Sequence, residues 1–198
     1  MIQNADTLFE FSIQHLFEAV KRSNHDFHTC SVASITTDGY PANRTVVFRH
    51  LSNTLDYIYI HSDARSEKNK DFLNNKNASL LFYSKQNKLQ VRFSASAEIC
   101  YDNQETKNAF YQSSLCAKRG YSYKFIPGSQ ISALKKELLQ PELNGDLTQD
   151  QLEFGCKNFS IIKFKLISCD ILHLLRTGHI RLKGHLNQSG WNLNLVAA

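Results

Sequence analysis

No stretch of this chain is apolar over the ~20 residues that a membrane-spanning helix requires. Its first residues, MIQNADTLFEF, lack the basic start and apolar core of a secretory signal. The five cysteines (Cys30, Cys100, Cys116, Cys156 and Cys169) contain no C-x-x-C and are odd in number. That pattern suits reduced thiols better than a disulfide framework. Together these absences lead us to expect a cytoplasmic protein with no membrane partner. The net charge of +5 is compatible with an anionic ligand and too small to argue for nucleic acid. His25-Asp26-Phe27-His28 has H-x-x-H spacing, but no further ligand cluster lies nearby in sequence, and zinc wants three or four ligands. No metal is therefore expected. There are no repeats, low-complexity runs or interdomain linkers, so residues 1–198 read as one domain.

What the chain does have is aromatic side chains. Thirteen Phe and eight Tyr suit a β-rich core or a planar ligand. A helix is expected from about 7 to 23, with Asp6 as its cap. Phe9, Ile13, Leu16, Phe17 and Val20 share one face of it. From about 29 to 198 the pattern is strands with tight turns. The first runs from Thr29 to Thr37 and ends at Asp38-Gly39, a hairpin signal. Strands follow around Arg44, Tyr57, Ala78–Tyr83 and Lys88–Ala97, with one helix inserted from Arg65 to about Leu73. Helices are expected at Asn103–Leu115, Ser132–Leu139 and Thr148–Phe154, around an irregular Cys116–Ile131 segment placed to cover a substrate. Four strands close the chain, at Phe159–Ile167, Ile171–Leu175, His179–His185 and Trp191–Val196. The fold class is mainly β with flanking helices: an α+β barrel.

The chemistry concentrates between Arg44 and Arg92. This stretch holds nine Lys/Arg against four Asp/Glu, a surplus equal to the net charge of the whole chain. Arg44-Thr45-Val46-Val47-Phe48-Arg49 alternates as a strand does, with an arginine at each end. Buried charges need partners, so a charged group on so apolar a strand asks for one. Downstream, His61-Ser62-Asp63-Ala64-Arg65-Ser66-Glu67-Lys68 passes from strand into helix, with Asp63 or Ser66 suited to the N-cap. A helix N-terminus with a hydroxyl and a lysine beside it is a ready site for phosphate.

Those motifs, with Gln90-Val91-Arg92, Gly178-His179-Ile180-Arg181 and Trp191, resemble the FMN-binding split β-barrel of the pyridoxamine 5′-phosphate oxidase family. The resemblance runs from about Thr29 to the C-terminus. It implies a homodimer with FMN at the subunit interface and an FMN-dependent oxidoreductase acting on a small molecule. It sets the cofactor along Arg44, Thr45, Val46, Val47 and Arg49. Arg44, Ser62, Ser66 and Lys68 would take its phosphate, and His61 would contact the cofactor beside Ser62. Where the family often has a second basic residue before the lysine, this chain has Glu67, and Arg65 is expected to restore that charge. Gln90 would bond the polar edge of the ring, and Arg181 would lie near it. Arg49 and His179 would orient the substrate. Two family arginines that hold the vitamin phosphate fall at Ser114 and Thr177, with Arg176 one residue off. The expected activity is therefore not efficient pyridoxine 5′-phosphate oxidation. The alternatives are an authentic oxidase of vitamin B6 metabolism and a flavin- or haem-binding module without catalysis.

Overall fold

The structure, a computed structural model, describes residues 4–130 and 145–198. Eight strands form one sheet: β1 (Thr29–Ile35), β2 (Pro41–Leu51), β3 (Tyr57–Asp63), β4 (Asn77–Ser84), β5 (Leu89–Tyr101), β6 (Phe159–His173), β7 (Ile180–Asn187) and β8 (Gly190–Val196). They are ordered β3-β2-β1-β4-β5-β6-β7-β8, and β6 also pairs with β3. Six antiparallel strands therefore close on themselves, which removes exposed edges. The β7–β8 hairpin extends outward from β6. This is the split barrel with flanking helices that the motifs implied.

Strict alternation builds the barrel interior. On β4, Ala78, Leu80, Phe82 and Ser84 are buried; on β5, Leu89, Val91, Phe93, Ala95 and Ala97. The Phe82 ring lies 5.5 Å from Phe27 and 5.3 Å from Phe48. Each such side chain contributes about 1.5–3 kcal/mol by leaving water. Helix α1 (Ala5–Lys21) buries Leu8, Leu16 and Ala19 against this core. Its cap is Asn4 rather than Asp6: Asn4 Oδ1 accepts from Thr7 N–H, and Thr7 Oγ1 accepts from Asn4 N–H. The reciprocal pair satisfies two orphan donors, which Asp6 placed two residues later could not do.

The strands expected at Phe159–Ile167 and Ile171–Leu175 are one 15-residue strand, β6. Its register with β5 shifts by one residue, with Ser94 facing Ser168 and Ala95 facing Leu166. Ile167 is the residue left over. A bulge bends a strand, and here the bend takes β6 from the barrel, where it pairs with β3, out to β7.

Helices α2 (Glu67–Asn74), α3 (Gln104–Gln112), α4 (Leu115–Tyr121) and α5 (Gln149–Asn158) complete the fold. Helix α4 lies in the segment expected to be irregular; Ser114 caps it, accepting from Ala117 N–H. The helix expected at Ser132–Leu139 lies outside the described residues. A second apolar cluster of Phe110, Phe159 and Ile161 seats α3, α4 and α5 on the outer face of the barrel. Gly155 permits this approach, since a Cβ there would collide with Ser122 and stand 3.1 Å from Phe110 Cζ. Among the described residues no helix is long and apolar enough to cross a membrane.

Candidate functional site

Alternation on β3 turns Ile58, Ile60 and Ser62 inward and leaves His61 on the outer side. The chain then turns at Asp63, whose carbonyl accepts from Ser66 N–H at 3.0 Å. Ser66 occupies the N-cap position of α2 but makes no capping bond there. Its hydroxyl instead meets that of Ser62 at 3.3 Å. Lys68 Nζ donates to both hydroxyls, at 3.1 Å each. Asn69 Nδ2 donates to the same two oxygens, at 3.0 and 3.1 Å, while its buried Oδ1 has no partner among the described residues.

Lys68 is thus a half-buried ammonium hydrogen-bonded to neutral groups. Burial first, and then the nearby Arg44, push its pKa below the usual lysine value, while Asp63 acts weakly the other way. Arg44 arrives from β2: Nη1 donates to Ser34 Oγ at 2.7 Å, and Nη2 lies 3.2 Å from Asp71 Oδ2. Two cations, two hydroxyls and a helix N-terminus make a donor set for a phosphate monoester. The FMN phosphate fits it, because an entering dianion would relieve the electrostatic cost that Lys68 carries.

The other residues singled out from the sequence fall elsewhere. Arg65 does not add its charge to this cluster. It forks onto Asp63, Nε to Oδ1 at 3.0 Å and Nη2 to Oδ2 at 2.6 Å, and donates to Tyr123 O. Its guanidinium also sits 5.4 Å from the Phe154 ring centre. Planar pairing with a carboxylate two residues away explains the orientation. On β2, Val46 packs on the core, Val47 is half-buried and Thr45 is exposed. Arg49 and His61 meet outside the barrel, in a cleft beneath α3. Burial and Arg49 lower the His61 pKa to about 4, so the ring is neutral near pH 7.

Gln90 and Arg181 lie opposite Leu172 on β6, and His179 is exposed just before β7. Arg181 forks onto Asp170, at 2.9 and 2.8 Å, and Arg92 reaches the same carboxylate at 2.6 Å. The Arg181 hydrogen bond leads in holding the Asp170 carboxyl below its usual range. Ser62 pairs with Ser160 at the other end of β6. The twelve residue-to-residue steps from Ser160 to Leu172 span a contour of about 40 Å, at ~3.3 Å per step. Gln90, His179 and Arg181 therefore sit toward the opposite end of β6 from the strand pairing that holds Ser62. Asn69, Asp71 and Asp170 escaped the sequence reading. The available signal for the first two was their spacing from Ser66 on a very short helix.

The two histidines of the H-x-x-H spacing do not face each other. His28 Nδ1 faces Ala19 O at 3.3 Å, whereas His25 meets His15 and Glu18. His25 Nδ1 accepts from Phe27 N–H at 3.0 Å, which places the proton of the neutral ring on Nε2. That Nε2 lies 3.1 Å from His15 Nδ1 and donates to it. Both facing nitrogens are engaged in this hydrogen bond. Burial, and then His25, lower the His15 pKa, with Glu18 opposing. The folded chain therefore resists this proton, and the contribution of the pair fades as pH falls below 6.5 toward the lowered folded value. Exchange protection of the Phe27 amide, corrected for its intrinsic rate, is expected to drop between pH 7 and 5.5. His15→Gln keeps an acceptor that does not titrate and is expected to flatten that dependence.

Comparison with known proteins agrees with this architecture. The closed six-strand barrel with its outer helices defines the class, a split β-barrel with flanking helices. Residues 9–101 match the family model for the FMN-binding domain of pyridoxamine 5′-phosphate oxidase, as the motifs implied. Pyridoxine/pyridoxamine 5′-phosphate oxidase 2 of Arabidopsis thaliana is 33% identical over 88 residues, covering 43% of this chain and 44% of that protein. The match thus spans less than half of that relative's length. A pyridoxamine 5′-phosphate oxidase-related FMN-binding protein from Nostoc punctiforme superposes with a TM-score of 0.78 at 19% identity, over 95% of this chain and 96% of its own. PhzG from Burkholderia lata, solved with tetrahydrophenazine-1-carboxylic acid, gives 0.70 at 14% identity, over 96% and 92%. At such identities these two likenesses establish the fold.

Proposed function

We propose that this protein is an FMN-dependent oxidoreductase acting on a small molecule. The observation that carries the reading is Lys68, a half-buried cation resting on Ser62 and Ser66 with Arg44 beside it. Bound FMN would supply hydride transfer, and the protein would position and tune it. Lys68, Arg44, Ser62 and Ser66 would bind the phosphate. Arg49 would orient the substrate in the cleft beneath α3. A second copy of the chain would bring Gln90, His179 and Arg181 to the first copy's Lys68 cluster, placing the cofactor between subunits. All five cysteines are free, which suits a reducing compartment such as the cytoplasm. With Ser114 and Thr177 at positions where the family carries arginines, turnover of pyridoxamine 5′-phosphate is expected to be slow.

Quenching of flavin fluorescence on titration of FMN with the purified protein tests the reading. Saturation near one FMN per chain is the expected outcome. Absence of quenching at micromolar protein would overturn it.

A further inference from the structure

The cleft beneath α3 carries an unusual charge inventory. Two adjoining cavities of about 380 and 500 Å³ share Arg49, His61, Ala109 and Gln112. That space suits a small planar molecule. Arg44, Arg65, Arg92 and Arg181 each rest on an aspartate. Arg49 rests on nothing among the described residues, and its Nε is buried without a partner. Glu105, at the outer end of the cleft, is taken by Lys163 at 2.7 Å. His61 is neutral. Beyond the paired Glu105, the opposite wall offers uncharged hydrogen-bonding groups, Asn108 and Gln112 on α3 with Ser113 and Ser114 after it. The cleft therefore holds one positive charge that no described residue compensates.

From this inventory we infer that the cleft takes a molecule bearing a single carboxylate, gripped by the Arg49 guanidinium, and discriminates against phosphate monoesters. That this molecule is a substrate rests on the FMN reading; the carboxylate grip does not. A carboxylate matches the planar fork in both charge and shape. A phosphate dianion would bring a second negative charge into a half-buried site where, among the described residues, the further cation at the outer end, Lys163, is already held by Glu105, and unpaired buried charge is costly. Gln112 and Ser114 can donate to the remaining lone pairs but cannot neutralise them, and the Ser113 hydroxyl already donates to Ala109 O.

Calorimetric titration of the FMN-loaded protein with benzoate and with phenyl phosphate, at pH 7.5, tests the inference. Benzoate is expected to bind at least tenfold more tightly. Arg49→Gln is expected to weaken benzoate at least tenfold, and Arg49→Lys, which keeps the charge and loses the fork, to fall between. Gln112→Arg adds a second cation on the opposite wall and is expected to shift the preference toward phenyl phosphate at least tenfold. Melting curves of each variant establish that it is folded. Equal or tighter binding of phenyl phosphate, unchanged benzoate binding in folded Arg49→Gln, or no saturable benzoate binding would each overturn the assignment. The same titrations on protein freed of flavin separate the two claims. If benzoate follows the expected pattern in a chain that binds no FMN, the cleft assignment stands and the oxidoreductase reading falls. If FMN binds and benzoate does not, the reverse holds.

Discussion

Lys68→Met is expected to weaken FMN binding by about tenfold to a hundredfold while making the flavin-free protein more stable. The first effect follows from removing one charge-assisted hydrogen bond to phosphate, worth about 1.5–3 kcal/mol. The second follows from the sign of the pKa shift. The folded chain holds the Lys68 proton less tightly than the unfolded chain does, mainly through burial. A depressed lysine costs stability in full below its folded pKa. That cost fades as pH rises through the lowered value and is gone above 10.5, the unfolded reference. Methionine fills similar space without a charge, so the melting temperature of the variant should exceed that of the parent at pH 7, and the gap should narrow toward pH 10.5. Arg44→Met gives the contrast. It removes a phosphate ligand but strands Asp71, whose side chain is 7% exposed and would be left with Ser34 alone. An unpaired buried charge of this kind is costly, so Arg44→Met should lose both affinity and stability. Fluorescence titration and melting curves on the two variants separate a functional cation from a structural one. FMN affinity unchanged by Lys68→Met would remove the phosphate assignment.

The Lys68 cluster was legible in sequence because it is local. Ser62, Ser66 and Lys68 lie within seven residues, and a strand running into a helix has little freedom in where it puts them. The barrel was legible for a related reason, since period-two burial on β4 and β5 is written directly in Ala78–Ser84 and Leu89–Ala97. Arg65 was misplaced because its charge was weighed without Asp63, a competing partner two residues away. The single strand β6 was read as two because Ile167 breaks the alternation, and a bulge residue looks like an ending. The cleft was illegible for a deeper reason. Arg49 and Gln112 are brought together by the seating of α3 on Phe159 and Ile161. Neither the absence of a partner for Arg49 nor the neutrality of His61 can be read from residues so far apart in the chain.

The position of Gln90 and Arg181, a contour of about 40 Å along β6 from the Ser62 pairing, leads to the sharpest expected result. If FMN lies between two copies, each site takes Lys68 from one chain and Arg181 from the other. Lys68→Met and Arg181→Gln should each bind FMN poorly on their own. Arg181→Gln leaves Asp170 paired with Arg92, so the variant should stay folded. Equal amounts of the two variants, allowed to exchange subunits, should form hybrids in about half of the dimers. In a two-fold dimer each hybrid has one site carrying both substitutions and one carrying neither. About a quarter of all sites should then recover parental affinity, visible as a tight phase in the flavin titration. If both residues served one site within a chain, every site would carry one substitution or the other and no tight phase would appear. Mass measurement of differently tagged subunits confirms that exchange has occurred. Complete exchange without a tight phase would remove the cofactor from the interface and leave Arg181 as the structural partner of Asp170.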